Sequence, residues 1–136
     1  MRSKYLLDTN AWFWMAIGDP HVPTELVSQL ESAHSEKAVF LSQISPWEIA
    51  LKTSLGKIEL NRPLDIWLRE NTDGLSMLDL PIDVVLESTR LPGSFHKDPA
   101  DRFIIATARV RNLVLVTGDK AIIDDATSGY VKAVGI

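Results

Sequence analysis

The 136-residue chain contains no cysteine, which removes disulfides, thiolate nucleophiles and Cys-type zinc sites together. Such a chain is compatible with a reducing compartment. Histidine is scarce, three residues in unrelated segments, and no HExxH or similar zinc spacing occurs, so an imidazole metal centre is not expected. The longest uninterrupted apolar run, AWFWMAI, is far below the about 20 residues that cross a bilayer. The opening MRSKYLLDTN has one short apolar run cut off by Asp8, unlike the hydrophobic region of a signal peptide. Glycine-rich phosphate cradles are also missing: Gly56-Lys57 lacks the upstream glycine of a P-loop, and neither GxGxxG nor GxSxG is present. A soluble, cytoplasmic protein with no membrane partner is the expectation.

What is present is the composition of one globular domain, 46% hydrophobic and 24% charged, without repeats, low-complexity tracts or a linker. Residues 1–136 are therefore read as a single domain large enough to bury a core. The net charge of −4 argues at first against a polyanionic ligand. Four carboxylates singled out below carry that whole excess, so the remaining surface is balanced and charge does not decide the partner.

The patterning is that of an α/β fold. Lys4–Leu7, Ala38–Ser42 and Leu113–Thr117 are short, continuously apolar and rich in β-formers, as expected of strands buried on both faces of a parallel sheet. Ser76–Leu78 and Tyr130–Val134 are weaker candidates. Between them, helices are expected from Pro23 to about Glu36, from Ser45 to about Leu55, from Pro63 to near Thr72, from Pro81 to near Arg90, and from Asp98-Pro99 through Arg111. In open α/β sheets ligands bind at the carboxyl ends of the strands, and four acids fall at strand-to-helix turns or helix starts.

Each acid also has a plain structural use. Asp8, in YLLDTN, would cap the helix after the first strand. Glu48 is the last residue of Ser45-Pro46-Trp47-Glu48, the pattern of a capping box, and Lys52 four residues on would pair with it on the surface. In Asp98-Pro99-Ala100-Asp101, Asp98 suits the N-cap, whereas Asp101 is too short to close a box as Glu would. Asp119 follows Gly118 and would cap a short run from Lys120 to Ile123. Capping does not explain why acids from separate segments should converge on one edge of the sheet. Two ionised carboxylates about 4 Å apart repel by roughly 4 kcal/mol at an effective dielectric near 20. Either protons are taken up or cations neutralise the site. All-oxygen ligation suits Mg²⁺ or Mn²⁺, and such a site is a design for cleaving phosphodiesters, with one metal or two flanking the scissile phosphate.

The segments YLLDTNAW, SPWEIALKTSLGKIEL, FHKDPADRFIIATA and LVTGDKAI, in this order along essentially the whole chain, resemble the PIN-domain ribonucleases and, within them, the VapC-like toxins of toxin–antitoxin modules. The middle, roughly Asn61 to Pro92, carries least of the likeness. The resemblance implies a three-layer α/β sandwich on a parallel sheet of about four to five strands and a divalent-metal-dependent endoribonuclease leaving 5′-phosphate and 3′-hydroxyl ends. It implies Asp8, Glu48 and Asp101 as core metal-binding, catalytic acids, with Asp119 as a fourth, more variable one. Thr9, Asn10 and Thr117 match positions that would orient ligands or a water. A homodimer and a small cognate antitoxin whose tail enters the active-site groove are implied in the same way.

Lys52, Lys97, Arg102 and Lys120 lie beside the acids in sequence and are candidates to hold RNA phosphates, weighed equally against solvated surface charge. His96 is expected to shape its loop rather than touch RNA. Trp12, Phe13 and Trp14 invite a base-stacking reading, but core or subunit packing is the expectation for them. Two rival functions remain: a catalytically silent PIN-type scaffold that binds RNA or protein, and a receiver-type phosphoacceptor domain with Asp79 in SMLDLP as acceptor and Asp8 binding Mg²⁺. The second leaves Glu48 and Asp101 without a role.

Overall fold

In the computed structural model, which describes residues 3–92, 98–126 and 129–136, the apolar runs become five short strands. They are β1 (Tyr5–Leu7), β2 (Val39–Ser42), β3 (Ser76–Leu78), β4 (Val114–Thr117) and β5 (Ala133–Gly135). All pair in parallel, in the order β3-β2-β1-β4-β5. The helices are α1 (Thr9–Ile17), α2 (Thr24–Ser35), α3 (Ile44–Ser54), α4 (Leu64–Thr72), α5 (Ile82–Ser88), α6 (Pro99–Arg111) and α7 (Lys120–Ala126). Strand–helix alternation in a parallel sheet forces crossovers over its faces, and this gives the expected three layers. The last strand lies later than the Tyr130–Val134 reading: Tyr130 and Val131 are used up in the bend after α7, and only Ala133–Gly135 pairs with β4.

Alternation along the central strands divides the interior in two. Leu6 and Leu115 point to one face, into a core with Ile104, Ile105 and Ala108 of α6, Ile122 of α7 and Val131. Leu7, Leu41 and Val116 point to the other, against Ala11 and Trp12 of α1, Leu26 and Leu30 of α2, Ile49 of α3 and Trp67 of α4. Trp67 meets Trp12 edge to face at 5.4 Å and lies 5.8 Å from Phe13, while the Trp12 indole N–H donates to the Asn71 carbonyl at 2.8 Å. The helix directly after β1 is thereby anchored to α4.

The strand order places a topological switch point between β1 and β4. From β1 the chain first moves outward through β2 to β3, then returns across the sheet to lay β4 on the opposite side of β1. Loops leaving the carboxyl ends of β1 and β4 diverge to opposite faces there, which opens a crevice. Among the described residues no helix is long and apolar enough to cross a membrane.

Trp67→Ala is expected to remove about 3–5 kcal/mol of folding free energy, read as a lower urea midpoint at unchanged slope, since the ring fills the joint between α4 and α1.

Candidate functional site

Strand register builds the site. Leu7 pairs with Leu41 on one side and Val116 on the other, so Asp8, Ser42 and Thr117 stand level at the carboxyl edge of the sheet. All three are buried, as are Thr9, Ser45 and Glu48. Buried polar groups need partners, and here they find one another. The Ala11 amide donates to Asp8 Oδ1 at 2.7 Å, capping α1. The Thr117 hydroxyl donates to the Asp8 carboxylate, and its oxygen accepts the Asp119 amide at 3.0 Å. One hydroxyl therefore ties the start of α7 to the end of β1. Thr9 donates to Glu48. Because a threonine hydroxyl has a single proton, the Ser45 hydroxyl, 2.9 Å away, must be the donor to Thr9.

Capping accounts for part of this, though not where the sequence pattern placed it. Asp98 Oδ1 caps α6 through the Ala100 and Asp101 amides at 2.9 and 3.3 Å, and Asp119 Oδ1 caps α7 through Ala121 and Ile122 at 2.9 and 3.4 Å. The capping box expected at Ser45–Glu48 does not form. The chain turns into α3 straight after β2, with the Ser42 hydroxyl accepting the Ile44 amide at 3.2 Å, and the helix starts at Ile44 with Gln43 as an N-cap that makes no side-chain bond. Ser45 and Glu48 are thus already inside the helix, free to turn toward Thr9. Ser45 is the member of the site that sequence reasoning missed, since its pattern suggested a cap.

Burial is the main force on the two innermost acids. It raises the Asp8 carboxyl above the ordinary carboxylate range, against the bonds from Thr117 and Ala11 and with help from the negative charges of Asp119 and Glu48. Glu48 is raised by burial too, opposed by the Thr9 bond and Lys52 and assisted by Asp98. Lys52 Nζ stands 4.0 Å from Glu48 Oε2, as the i,i+4 spacing suggested. Among the described residues no Lys, Arg or His forms an ion pair with Asp8.

A buried carboxylate with two acidic neighbours and no basic one is the setting a hard cation relieves, and the donor set is all oxygen. Among the described residues, no three Asp, Glu or His side chains already surround a single point that would hold an ion. The acids stand in pairs: Asp8 with Glu48, Asp8 with Asp119, and Glu48 with Asp98. Asp101 is half-buried on the first turn of α6, which packs against α3.

The remaining candidates separate. Asn10 is exposed and bonds to none of these acids. Lys120 is exposed at the start of α7, whereas Arg102 uses its Nε to hold the Ser88 carbonyl at 2.9 Å, joining α6 to α5. Lys97 and His96 lie outside the described residues. Trp12 and Phe13 pack against Trp67, and Trp14, half-buried like Phe13, packs against the same core, as expected. Asp79 follows the edge strand β3, with β2 between it and the strand that carries Asp8, and has no place in the cluster. A surface hollow of about 450 Å³ lies at the opposite end of the sheet against Tyr5, Ser28, Gln29 and Ser32, far from the acids in the topology.

A raised carboxyl means that the folded chain keeps its proton to higher pH than the unfolded chain, so the stability tied to Asp8 is full below the ordinary carboxylate value and declines as pH climbs above it. Asp8→Asn retains an oxygen to cap α1 and removes the buried charge. In chelator, its melting temperature by scanning calorimetry is expected to exceed that of the parent near neutral pH, with the gap closing toward about pH 4.

The comparisons agree with this architecture. The PIN domain family matches residues 5–126. Ribonuclease VapC22 of Mycobacterium tuberculosis is 32% identical over 115 residues, spanning 85% of this chain and 86% of its own. Among solved structures, the DNA-bound VapBC of Salmonella typhimurium superposes with a TM-score of 0.71 at 17% identity, covering 98% of both chains. FitAcB of Neisseria gonorrhoeae does so at 0.65 and 24%, covering 95% of each. With matched sequence running from the first strand to the last helix, and the acid-bearing turns inside it, the chain belongs to the PIN-domain family as a homologue of the VapC ribonuclease toxins.

Proposed function

We propose that this protein is the toxin of a toxin–antitoxin module, a cytoplasmic endoribonuclease that hydrolyses RNA phosphodiesters with Mg²⁺ or Mn²⁺. The observation that carries the reading is the Asp8 carboxylate, buried at the switch point between Glu48 and Asp119 without a basic partner. Asp8, Glu48 and Asp119 would hold the cation, joined by Asp101 from the first turn of α6. When bound, the cation supplies charge stabilisation at the phosphate and lowers the pKa of water. The chain's own residues orient the acids: Thr9 fixes Glu48, Thr117 fixes Asp8, and Ser45 fixes Thr9. Lys52, 4.0 Å from Glu48, and Lys120, next to Asp119 in the chain, would hold flanking phosphates as positioning contacts.

Partners follow from two surfaces. A cleft of about 230 Å³ runs beside Glu48 between α3 and the start of α6, with Trp47, Leu51 and Leu55 as apolar wall and Lys52 and Lys57 as cations. An antitoxin tail with an apolar face and an acidic group fits that lining. On α5, Ile82, Val85 and Leu86 are exposed at helical spacing on one face, which suits the contact of a homodimer.

RNA cleavage should require added Mg²⁺ or Mn²⁺ and stop in chelator, and Asp8→Asn and Glu48→Gln should each lower kcat by about 10²-fold or more on structured RNAs. Undiminished cleavage by either variant counts against the assignment. Thr9→Val and Thr117→Val, which leave the carboxylates but loosen them, are expected to cost about 10- to 100-fold in metal affinity or activity, measured by Mn²⁺ calorimetry and initial rates. For the dimer, Leu86→Asp should yield a monomer by light scattering while keeping the native circular dichroism.

A further inference from the structure

The three aromatic residues of α1 have different fates. Trp12 is buried with its N–H bonded, and Phe13 leans on Trp67. Trp14 instead stacks on His21, with ring centroids 5.6 Å apart and planes 21° from parallel. The His21 side chain is 74% exposed, yet it is held in place: its backbone amide donates to Asp19 Oδ1 at 2.8 Å, and its Nδ1 lies 3.0 Å from the same oxygen. Asp19 thus fixes the imidazole by its edge and leaves the stack open to solvent. The indole packs partly against the core on this face of the sheet, whereas the pinned imidazole stacked on it faces solvent.

The far edge of the indole meets the acids' own turn. A methyl group placed on Gly118 would lie 2.6 Å from Trp14 Cζ3 and 2.9 Å from Cη2, so only glycine lets the ring come this close. Gly118 separates Thr117, which bonds Asp8, from Asp119, which caps α7. The indole edge and the acid cluster therefore share the Gly118 turn, which sets the stack next to the turn that carries Thr117 and Asp119.

We propose that the Trp14–His21 stack is a platform for one base of the RNA strand, next to the phosphate positioned at Asp8 and Asp119. This rests on the ribonuclease reading above and adds to it a subsite on the chain. Every base has a π-face, so the platform fixes the strand's path more than its sequence, and stacking of this kind is worth roughly 5- to 100-fold in affinity when one ring is removed. Trp14 and His21 bind and position here; neither touches the reacting atoms.

The test uses the full-length protein and an RNA oligonucleotide that it cleaves, in which each nucleotide around the cut is replaced in turn by an abasic one. In the parent, one flanking abasic position should raise KM by roughly 5- to 100-fold. In Trp14→Leu and in His21→Ala, KM for the intact oligonucleotide should rise similarly, kcat should change little, and that same position should become indifferent to loss of its base. Trp14→Phe should restore most of the parent's behaviour. Because His21 is exposed, His21→Ala is expected to melt like the parent and protects the test against a folding defect in Trp14→Leu. Variants with unchanged KM, or with the same abasic penalty as the parent, overturn the platform while leaving the ribonuclease intact. A fall in Mn²⁺ affinity that accounts for the whole loss also overturns it, because the indole would then act by shaping the Gly118 turn. A parent protein that cuts no RNA defeats both readings.

Discussion

The burial of the Asp8 carboxylate at the end of the central strand organises the rest of the molecule. A charge there is costly, and the Ala11 amide and the Thr117 hydroxyl offset only part of that cost. Those two groups belong to the start of α1 and the end of β4, so satisfying one carboxylate also fixes the helix that leaves β1 and the strand that neighbours it. Leu7, one residue earlier, is packed in the core. Between adjacent residues the chain passes from apolar interior to chemistry.

The polar corner then propagates outward by shared hydrogen bonds. Thr117 connects Asp8 to the backbone of Asp119, and Ser45 connects through Thr9 to Glu48. These are two short chains of hydroxyls, one on each side of β1, and each holds an acid that is separated from Asp8 by tens of residues in sequence. The arrangement spends stability on a concentration of negative charge. This is the usual relation between a functional site and the fold that supports it: local rules of burial are broken in one place and met everywhere else. The apolar parts are correspondingly ordinary, two cores on the two faces of the sheet, with Trp12 and Trp67 closing the joint over α1.

Helix capping and metal binding are not competing explanations for these acids. Asp8 and Asp119 each cap a helix through Oδ1, which places both near the positive end of a helix dipole. Asp98 caps α6 and adds negative charge near Glu48, whereas Glu48 is no cap at all. The same residue type at the same kind of position thus serves different ends according to what faces it.

From the string of residues one could read the layer architecture, four of the five strands, three of them with their buried character and β3 at Ser76–Leu78, the capping roles of Asp8, Asp98 and Asp119, and the acids worth watching, because apolar runs, helix starts and turn chemistry are local properties. β5 was displaced, since pairing with β4 and not intrinsic preference chose which of the last residues became strand. The Ser45–Glu48 segment kept its helix and lost its box, since Thr9, distant in sequence, offered both side chains better partners than the helix end did. The different ring partners of Trp12, Phe13 and Trp14 were likewise invisible beforehand: all three are apolar neighbours on one helix, and only the positions of Trp67 and His21 determine which ring each one meets. Local sequence determines what each residue is able to do; long-range packing chooses its partners, and with them which of those uses is realised.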